Sequence, residues 1–392
     1  MVQIRSKYLT NIEQIPSLSE EEKRQLKPVT DKFVFRTNEY YNSLIDWNDP
    51  DDPIRRIVTP TTQELDEFGK WDASEEHSYT VLKGLEHKYP DTALLLINSV
   101  CGAYCRFCFR KRLFTDDNDE VTHDITDALA YIERHPEINN VLLTGGDPLI
   151  MSTGKLEHII QQIRAIKHVQ IIRIGSKMPA FDPYRIVRDP SLAEMLGRYS
   201  TREKKIYVMA HFNHPRELTE IALDALGMFQ KAGVATVNQS PMIRGVNDSP
   251  EVISELFNRL SYNGVPPYYI FLCRPTAGNK PFTVPVERAL DIFERARLNL
   301  SGLAKHARLC MSHCTGKVEV VTKLGSDIVF RYHRAADPAN RGRVMVFKSD
   351  RNATWLDDYL SAETGDSPAN GAMNGLVHAG SASQSLPCQP AS

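Results

Sequence analysis

The stretch Cys101-Gly-Ala-Tyr-Cys105-Arg-Phe-Cys108-Phe-Arg-Lys-Arg112 decides how the rest of the chain is read. Thiolates at this spacing suit an iron–sulfur cube, which normally takes four of them. Only three are supplied here, and the next cysteine along the chain is Cys273. An iron left without a thiolate is open to a small molecule. Two other uses compete for the same residues. A zinc knuckle pairs its first cysteines with a second half-site about 12–20 residues on, where His123 stands alone. A ferredoxin would place its fourth thiolate close by. The expectation is a [4Fe-4S] cluster on Cys101, Cys105 and Cys108 with one iron left free.

Outward from the cysteines, short continuous apolar runs alternate with helix-period stretches. The runs are Ala93-Leu-Leu-Leu-Ile, Val141-Leu-Leu, Val169-Gln-Ile-Ile-Arg-Ile, Ile206-Tyr-Val-Met-Ala, Val234-Ala-Thr-Val and Tyr268-Tyr-Ile-Phe-Leu. Helical periodicity falls near residues 125–135, 154–166, 190–198, 217–232, 250–262 and 285–298. Strands buried on both faces read as such runs, and strand–helix alternation implies a parallel sheet. The fold expected is α/β, a partial (β/α)6 barrel over residues 86–300. Residues 1–85 read as an N-terminal helical extension, with Ser19 as a cap, and no chemistry is read in them. Residues 301–360 read as a C-terminal extension with strand-like pieces. Residues 361–392 are rich in Ala, Gly and Ser and read as a disordered tail, in which Cys388 has no role.

Composition bounds the partners. The chain has 392 residues, 42% hydrophobic and 24% charged, enough for one large domain with extensions. A formal charge of −2 leaves no footprint for nucleic acid or an anionic membrane. Seven cysteines, three of them clustered, are no disulfide scaffold. No apolar core marks a signal peptide, and no run reaches the roughly 18 residues needed to span a bilayer. A soluble, cytoplasmic protein is expected.

The remaining polar motifs follow the apolar runs, at the strand ends where βα loops place active sites. The second run ends in Thr144-Gly-Gly-Asp-Pro, whose glycines let backbone approach a ligand and whose carbonyls and Asp147 can accept from an ammonium group. A plain tight turn is the alternative. The third gives Arg173-Ile-Gly-Ser-Lys-Met-Pro, the fourth His211-Phe-Asn-His-Pro, and the fifth Asn238-Gln-Ser-Pro-Met-Ile-Arg-Gly-Val-Asn-Asp.

The cysteine run has the Cys-x-x-x-Cys-x-aromatic-Cys form of the radical S-adenosylmethionine enzymes, in which the open iron chelates the methionine moiety and an electron splits off a 5′-deoxyadenosyl radical. With the strand-end motifs in this order, residues 85 to 335 resemble the lysine 2,3-aminomutase family of those enzymes. The resemblance implies pyridoxal 5′-phosphate, which delocalises the substrate radical while an amino group moves between neighbouring carbons. It implies that Phe107, Gly145, Gly146, Asp147, His211 and Gln239 surround S-adenosylmethionine, with Arg173 and Ser176 also on a cofactor. It implies Arg110 as the clamp on the substrate α-carboxylate, and Lys317 as the lysine that carries pyridoxal phosphate. A small amino-acid-like substrate, an electron donor such as flavodoxin or ferredoxin, and a homo-oligomer complete the expectation.

The departures gather in one pocket. Thr92 stands where the family carries an arginine for the phosphate group, removing a contact worth about 1.5–3 kcal/mol. The phosphate would then rest on backbone amides, Lys111 or Arg112. Cys310-Met-Ser-His-Cys-Thr-Gly replaces the glycine-rich run before the lysine. Arg274 replaces the aspartate that reads the lysine ammonium, and a second such aspartate corresponds, within one residue, to Cys310. Both acidic readers are missing, so free lysine is a poor substrate. Arg274 suits a carboxylate or phosphate at the substrate's far end, unless it is a solvated loop cation. Cys273, Cys310 and Cys314 with His306 or His313 make a weak zinc pattern, with buried structural thiols as the alternative.

The leading reading is 1,2-amino migration on an amino acid or derivative, driven by the adenosyl radical. A rival keeps the radical without pyridoxal phosphate and performs elimination, oxidation or another rearrangement. A non-catalytic iron–sulfur or zinc protein is the third, and it would not need the strand-end motifs.

Overall fold

The apolar runs become the parallel strands of one sheet in the computed structural model, which describes residues 7–115 and 117–364. Most of the tail, with Cys388, lies outside the described residues; residues 361–364 end a helix, Leu356–Thr364. A short antiparallel pair, β1 (Tyr8–Leu9) and β2 (Thr37–Asn38), belongs to the N-terminal segment. The main sheet comprises β3 (Thr80–Leu82), β4 (Leu85–Tyr89), β5 (Thr92–Asn98), β6 (Asn140–Gly145), β7 (Ile171–Ser176), β8 (Lys205–Ala210), β9 (Ala235–Met242), β10 (Pro267–Leu272), β11 (Arg308–His313), β12 (Gly316–Leu324), β13 (Asp327–Ala335) and β14 (Val344–Lys348).

Strand order in this sheet follows the chain from β3 to β14. The six expected strands, β5 to β10, are parallel, and β11 adds a seventh parallel partner to β10. Antiparallel strands flank them on both sides. The extensions differ from their sequence reading in three respects: residues 8–9 and 37–38, read as helical, pair as β1 and β2; residues 80–82, also read as helical, enter the sheet as β3; and residues 308–313, read into the C-terminal extension, continue the parallel region as β11.

Helices Thr126–Arg134, Thr153–Ala165, Pro190–Arg198, Glu220–Lys231, Pro250–Tyr262 and Val286–Leu298 cover the outer face, close to the stretches read from periodicity. Pro250–Tyr262 shows why. Ser249 Oγ accepts from Val252 N, Pro250 needs no amide partner at the first helical position, and Ile253, Leu256, Phe257 and Leu260 recur on one face and are buried. Two hydrophobic cores result, one under β5–β8 and one under β9–β13.

Side chains bring the two ends of the parallel region together. Lys88 Nζ on β4 donates to His313 O on β11 at 2.6 Å, Tyr79 Oη donates to Cys314 O at 2.8 Å, and Arg334 Nη2 on β13 donates to Thr92 Oγ1 on β5 at 3.2 Å. The sheet thus curls around an interior cavity, and residues flanking the expected barrel complete its wall.

Candidate active site

The cavity, about 340 Å³, is lined by strand-end residues and by all three clustered cysteines. The cysteine loop leaves the carboxyl end of β5 and is pinned by the N-terminal segment. Tyr104 N donates to Arg36 O at 2.9 Å and Arg106 N to Ile57 O at 2.8 Å. The buried Arg106 guanidinium pairs with Glu64 and donates to Val34 O at 3.1 Å. Cys101, Cys105 and Cys108 are free thiols, and burial pushes all three up from the ordinary thiol value. Among the described residues, no three His, Cys, Asp or Glu side chains are gathered to hold a single ion. Three thiols on one cavity wall match the donor set of a cube with one iron left open.

Beside this loop lies Thr144-Gly-Gly-Asp. Gly145 has φ +109°, and a Cβ on it would lie 2.4 Å from Asn98 O. A Cβ on Gly146 would lie 2.5 Å from Val100 O, so both glycines let this turn press on the backbone leading into Cys101. Asp147 was expected to accept from a ligand's ammonium. Its carboxylate is instead committed to backbone, Oδ2 accepting from Lys177 N (2.7 Å) and Met178 N (3.0 Å), Oδ1 from Leu149 N (3.0 Å). Burial pushes it up to about 6 while these donors favour the anion. Its role is to lock the β6 and β7 loops together.

Lys177 makes a second lock, donating to His211 O (2.9 Å), Asn213 Oδ1 (2.8 Å) and Glu217 Oε1 (2.6 Å). Burial and the Lys177 charge hold His211 neutral. Its Nε2 is buried without a partner, and its ring stands 6.0 Å from that of Phe107. Ser176 and Gln239 complete this end of the lining.

Three guanidiniums meet on Glu76, which lines the cavity. Arg110 donates through Nη2 to Oε1 (2.8 Å) and through Nε to Oε2 (3.0 Å), Arg112 Nη2 donates to Oε2 (2.7 Å), and Arg274 Nη1 lies 3.8 Å from Oε1. These charges hold the Glu76 carboxyl well below the carboxylate range, while burial and the Glu76 charge push Glu86 up. Arg110 faces the cavity as expected, but its fork is filled by Glu76 and its Nη1 donates to Thr144 Oγ1 at 3.2 Å. Arg274 is no solvated loop cation. Its side chain is 14% exposed, it lies 3.6 Å over the Phe109 ring, and Nη1 has no hydrogen-bond partner.

Lys317 occupies the far end. It rises from β12, directly opposite Arg334 on β13, and its Nζ stands over the rings of Tyr269 (4.7 Å) and Phe271 (4.5 Å). Burial, with Arg274, Arg173 and Arg334 nearby, pushes its amine down to about 7. Arg173 lies at this end and not beside the cysteines, its Nε donating to Asn140 Oδ1 at 2.8 Å. The Tyr269 hydroxyl is buried without a hydrogen-bond partner.

Two secondary readings do not match the geometry. Lys111 and Arg112 do not line the cavity: Lys111 Nζ donates to Ala277 O at 3.3 Å, and Arg112 binds Glu76 and Glu120. The second metal site is not assembled either. Cys273 points to Met242 O (3.4 Å), Cys310 is buried on β11, Cys314 lies against the His313 ring (3.6 and 3.7 Å), and His306 is exposed. Sequence reasoning also missed Ser74, Glu76, Tyr79, Glu86 and Lys88, all on the cavity wall. The available signal was a pair of charges, Glu86 and Lys88, two apart on a short strand.

The family model for the radical SAM superfamily matches residues 95–257. A protein of Aquifex aeolicus named "Putative L-lysine 2,3-aminomutase" is 57% identical over 90% of this chain and 95% of its own length. The L-lysine 2,3-aminomutase of Clostridium subterminale is 40% identical over 73% of this chain and 68% of its own. The glutamate 2,3-aminomutase of Clostridioides difficile is 34% identical over 75% and 68%. Among solved structures, a radical SAM methyltransferase from Sphaerobacter thermophilus aligns with TM-score 0.40 and 18% identity over 58% of this chain and 68% of that one, too slight a likeness to bear on the reaction. A parallel sheet curled around three free cysteines, and relatives aligned along most of the chain, lead to one assignment: this chain belongs to the lysine 2,3-aminomutase family of radical S-adenosylmethionine enzymes, which implies a [4Fe-4S] cluster and S-adenosylmethionine.

Proposed function

We propose that the protein moves an amino group between adjacent carbons of an amino acid whose far end is anionic, using pyridoxal 5′-phosphate on Lys317. The observation that carries this reading is Lys317 itself. Its amine, pushed down to about 7, shares one cavity with the three cysteines. A lysine joins a carbonyl only when its amine is deprotonated, and a desolvated pocket achieves that near neutral pH. A buried lysine with no such duty would carry that desolvation for nothing.

The residues at each end fit the groups. Cys101, Cys105 and Cys108 would hold three irons of the cluster. The Gly145–Gly146 turn, His211, Gln239, Phe107 and Ser176 would shape the place of S-adenosylmethionine, with Asp147 and Lys177 holding that wall in position. Once bound, the pyridine ring would spread the unpaired electron during migration. Tyr269 Oη and His211 Nε2, both lacking partners, are free to take hydrogen bonds from bound groups. Arg110 and Arg274, side by side on Glu76, would face the substrate's anionic groups. Glu86, held toward its neutral form, can donate to a carboxylate where an ionised acid would repel it. Such a wall disfavours a cationic far end, against free lysine as substrate.

The test is an anaerobic titration of the reconstituted protein with pyridoxal phosphate, followed by incubation with S-adenosylmethionine, reductant and candidate amino acids. A violet absorbance band present in wild type and absent in Lys317→Ala, with a β-amino product from an acidic amino acid, is expected. Consumption of S-adenosylmethionine with substrate but without any such band would overturn the aminomutase chemistry in favour of a pyridoxal-independent radical reaction.

A further inference from the structure

The far end of the cavity holds more positive charge than its surroundings explain. Arg173 is half-buried in the cavity wall, and among the described residues its one side-chain hydrogen bond goes to the neutral Asn140 and no acidic side chain lies within ion-pair distance of it. Arg334 lines the same cavity, 4.1 Å over the Tyr89 ring. Its Nη2 binds Asp91 and Thr92 Oγ1, and the structure gives its other nitrogens no partner. Lys88, pushed down to about 8 by burial and Arg274, stands on the adjoining strand. Half-buried cations grouped on one cavity wall repel one another unless a counter-charge is present, and Asp91, the ion-pair partner of Arg334, is 55% exposed and therefore weakly effective.

We infer that Arg334, with Arg173, forms a binding site for a phosphate dianion, and that Arg334 delivers across the sheet seam the charge that Thr92 lacks. This rests on the pyridoxal phosphate reading above and adds to it the residue that anchors the phosphate. Three features lead there. Lys317 and Arg334 are direct cross-strand partners, which places their side chains on one face about 5 Å apart at Cβ. The aldehyde and the phosphate arm of pyridoxal phosphate sit on neighbouring ring carbons, so an anchor must stand close beside the lysine. And Arg334 reaches Thr92 itself at 3.2 Å, so the guanidinium arrives at the place on β5 where the threonine is, but from β13. A guanidinium fork suits phosphate better than an ammonium does.

The same residue ties β13 to β5, so occupying the site should also tighten the seam. The experiment compares binding of pyridoxal 5′-phosphate and of pyridoxal, which lacks the phosphate, to the full anaerobic protein without substrate. Affinity is read from the absorbance band and from the rise in Tm. Arg334→Gln should weaken pyridoxal phosphate binding by about tenfold or more, leave pyridoxal unchanged, and lose the phosphate-dependent rise in Tm. Thr92→Arg added to Arg334→Gln, which puts the charge back from β5, should restore affinity, which guards against a merely misfolded single variant. Wild-type binding of pyridoxal phosphate matched within twofold by Arg334→Gln would overturn this inference and leave the cofactor reading intact. Wild-type protein that binds neither compound would overturn both.

Discussion

The Arg106 guanidinium closes on the Glu64 carboxylate with three hydrogen bonds, Nε to Oε1 (3.0 Å) and Oε2 (3.2 Å) and Nη2 to Oε2 (2.8 Å), both side chains sealed from solvent. Arg106 lies between Cys105 and Phe107, so this pair fastens the cysteine loop to a short helix of the N-terminal segment. Removing one partner of a buried pair costs about 3–5 kcal/mol because the other charge is left unpaired. Glu64→Gln should therefore lower stability by that order in urea unfolding and speed iron loss from reconstituted protein. A change below about 1 kcal/mol would show that the loop is held by its backbone contacts alone.

Replacing Cys101, Cys105 and Cys108 together by alanine should leave circular dichroism unchanged, since the thiols face a cavity. The variant should bind little iron and make no 5′-deoxyadenosine with reductant and S-adenosylmethionine. Continued cleavage would sink the assignment of the cluster to these residues.

Lys317 should react with aldehydes at a pH where other lysines are protonated. With its amine near 7, the free base is scarce below that pH and dominant above it. Pyridoxal addition trapped by borohydride, followed by mass spectrometry of the Lys317 peptide, should rise with a midpoint near pH 7. A midpoint near the ordinary lysine value, about 10.4, would remove the basis for its role.

Arg274→Gln should raise KM for an acidic substrate by about tenfold or more, the worth of one charge-assisted hydrogen bond, while the cluster spectrum stays as in wild type. An unchanged KM would make Arg274 a structural counter-ion to Glu76.

His313 is pushed up to about 9 by Asp357 and Cys314 against the effect of burial. A histidine raised in the folded state stabilises fully below its unfolded value, about 6.5, and loses that contribution as pH rises through about 9. Because Asp357 is 59% exposed, the pair should be worth about 1 kcal/mol. Asp357→Asn should cost that much at pH 6 and almost nothing above pH 10, as read by Tm against pH.

The barrel strands, their helices and the cysteine loop were legible because each is encoded locally. A buried parallel strand announces itself as an apolar run, a covering helix as a 3.6-residue period, and three thiols by spacing alone. Lys317 was legible only through resemblance, its sequence neighbourhood having lost the glycines. Asp147 was read as a ligand acceptor because a carboxylate in a strand-end loop looks the same whether or not backbone amides already fill it.

What the chain determined by itself was the parallel strands, the helices that cover them and the cysteine loop. Tertiary structure decided the wall of the cavity. Glu76 and Lys88 come from a segment with no motif, and Arg334 lies 242 residues from the threonine it reaches. Ion pairs depend on distance in space and on the exclusion of water, and neither is written in residue spacing. Only when the sheet curls and its ends meet do these charges come together, beside a lysine whose amine the same burial pushes down.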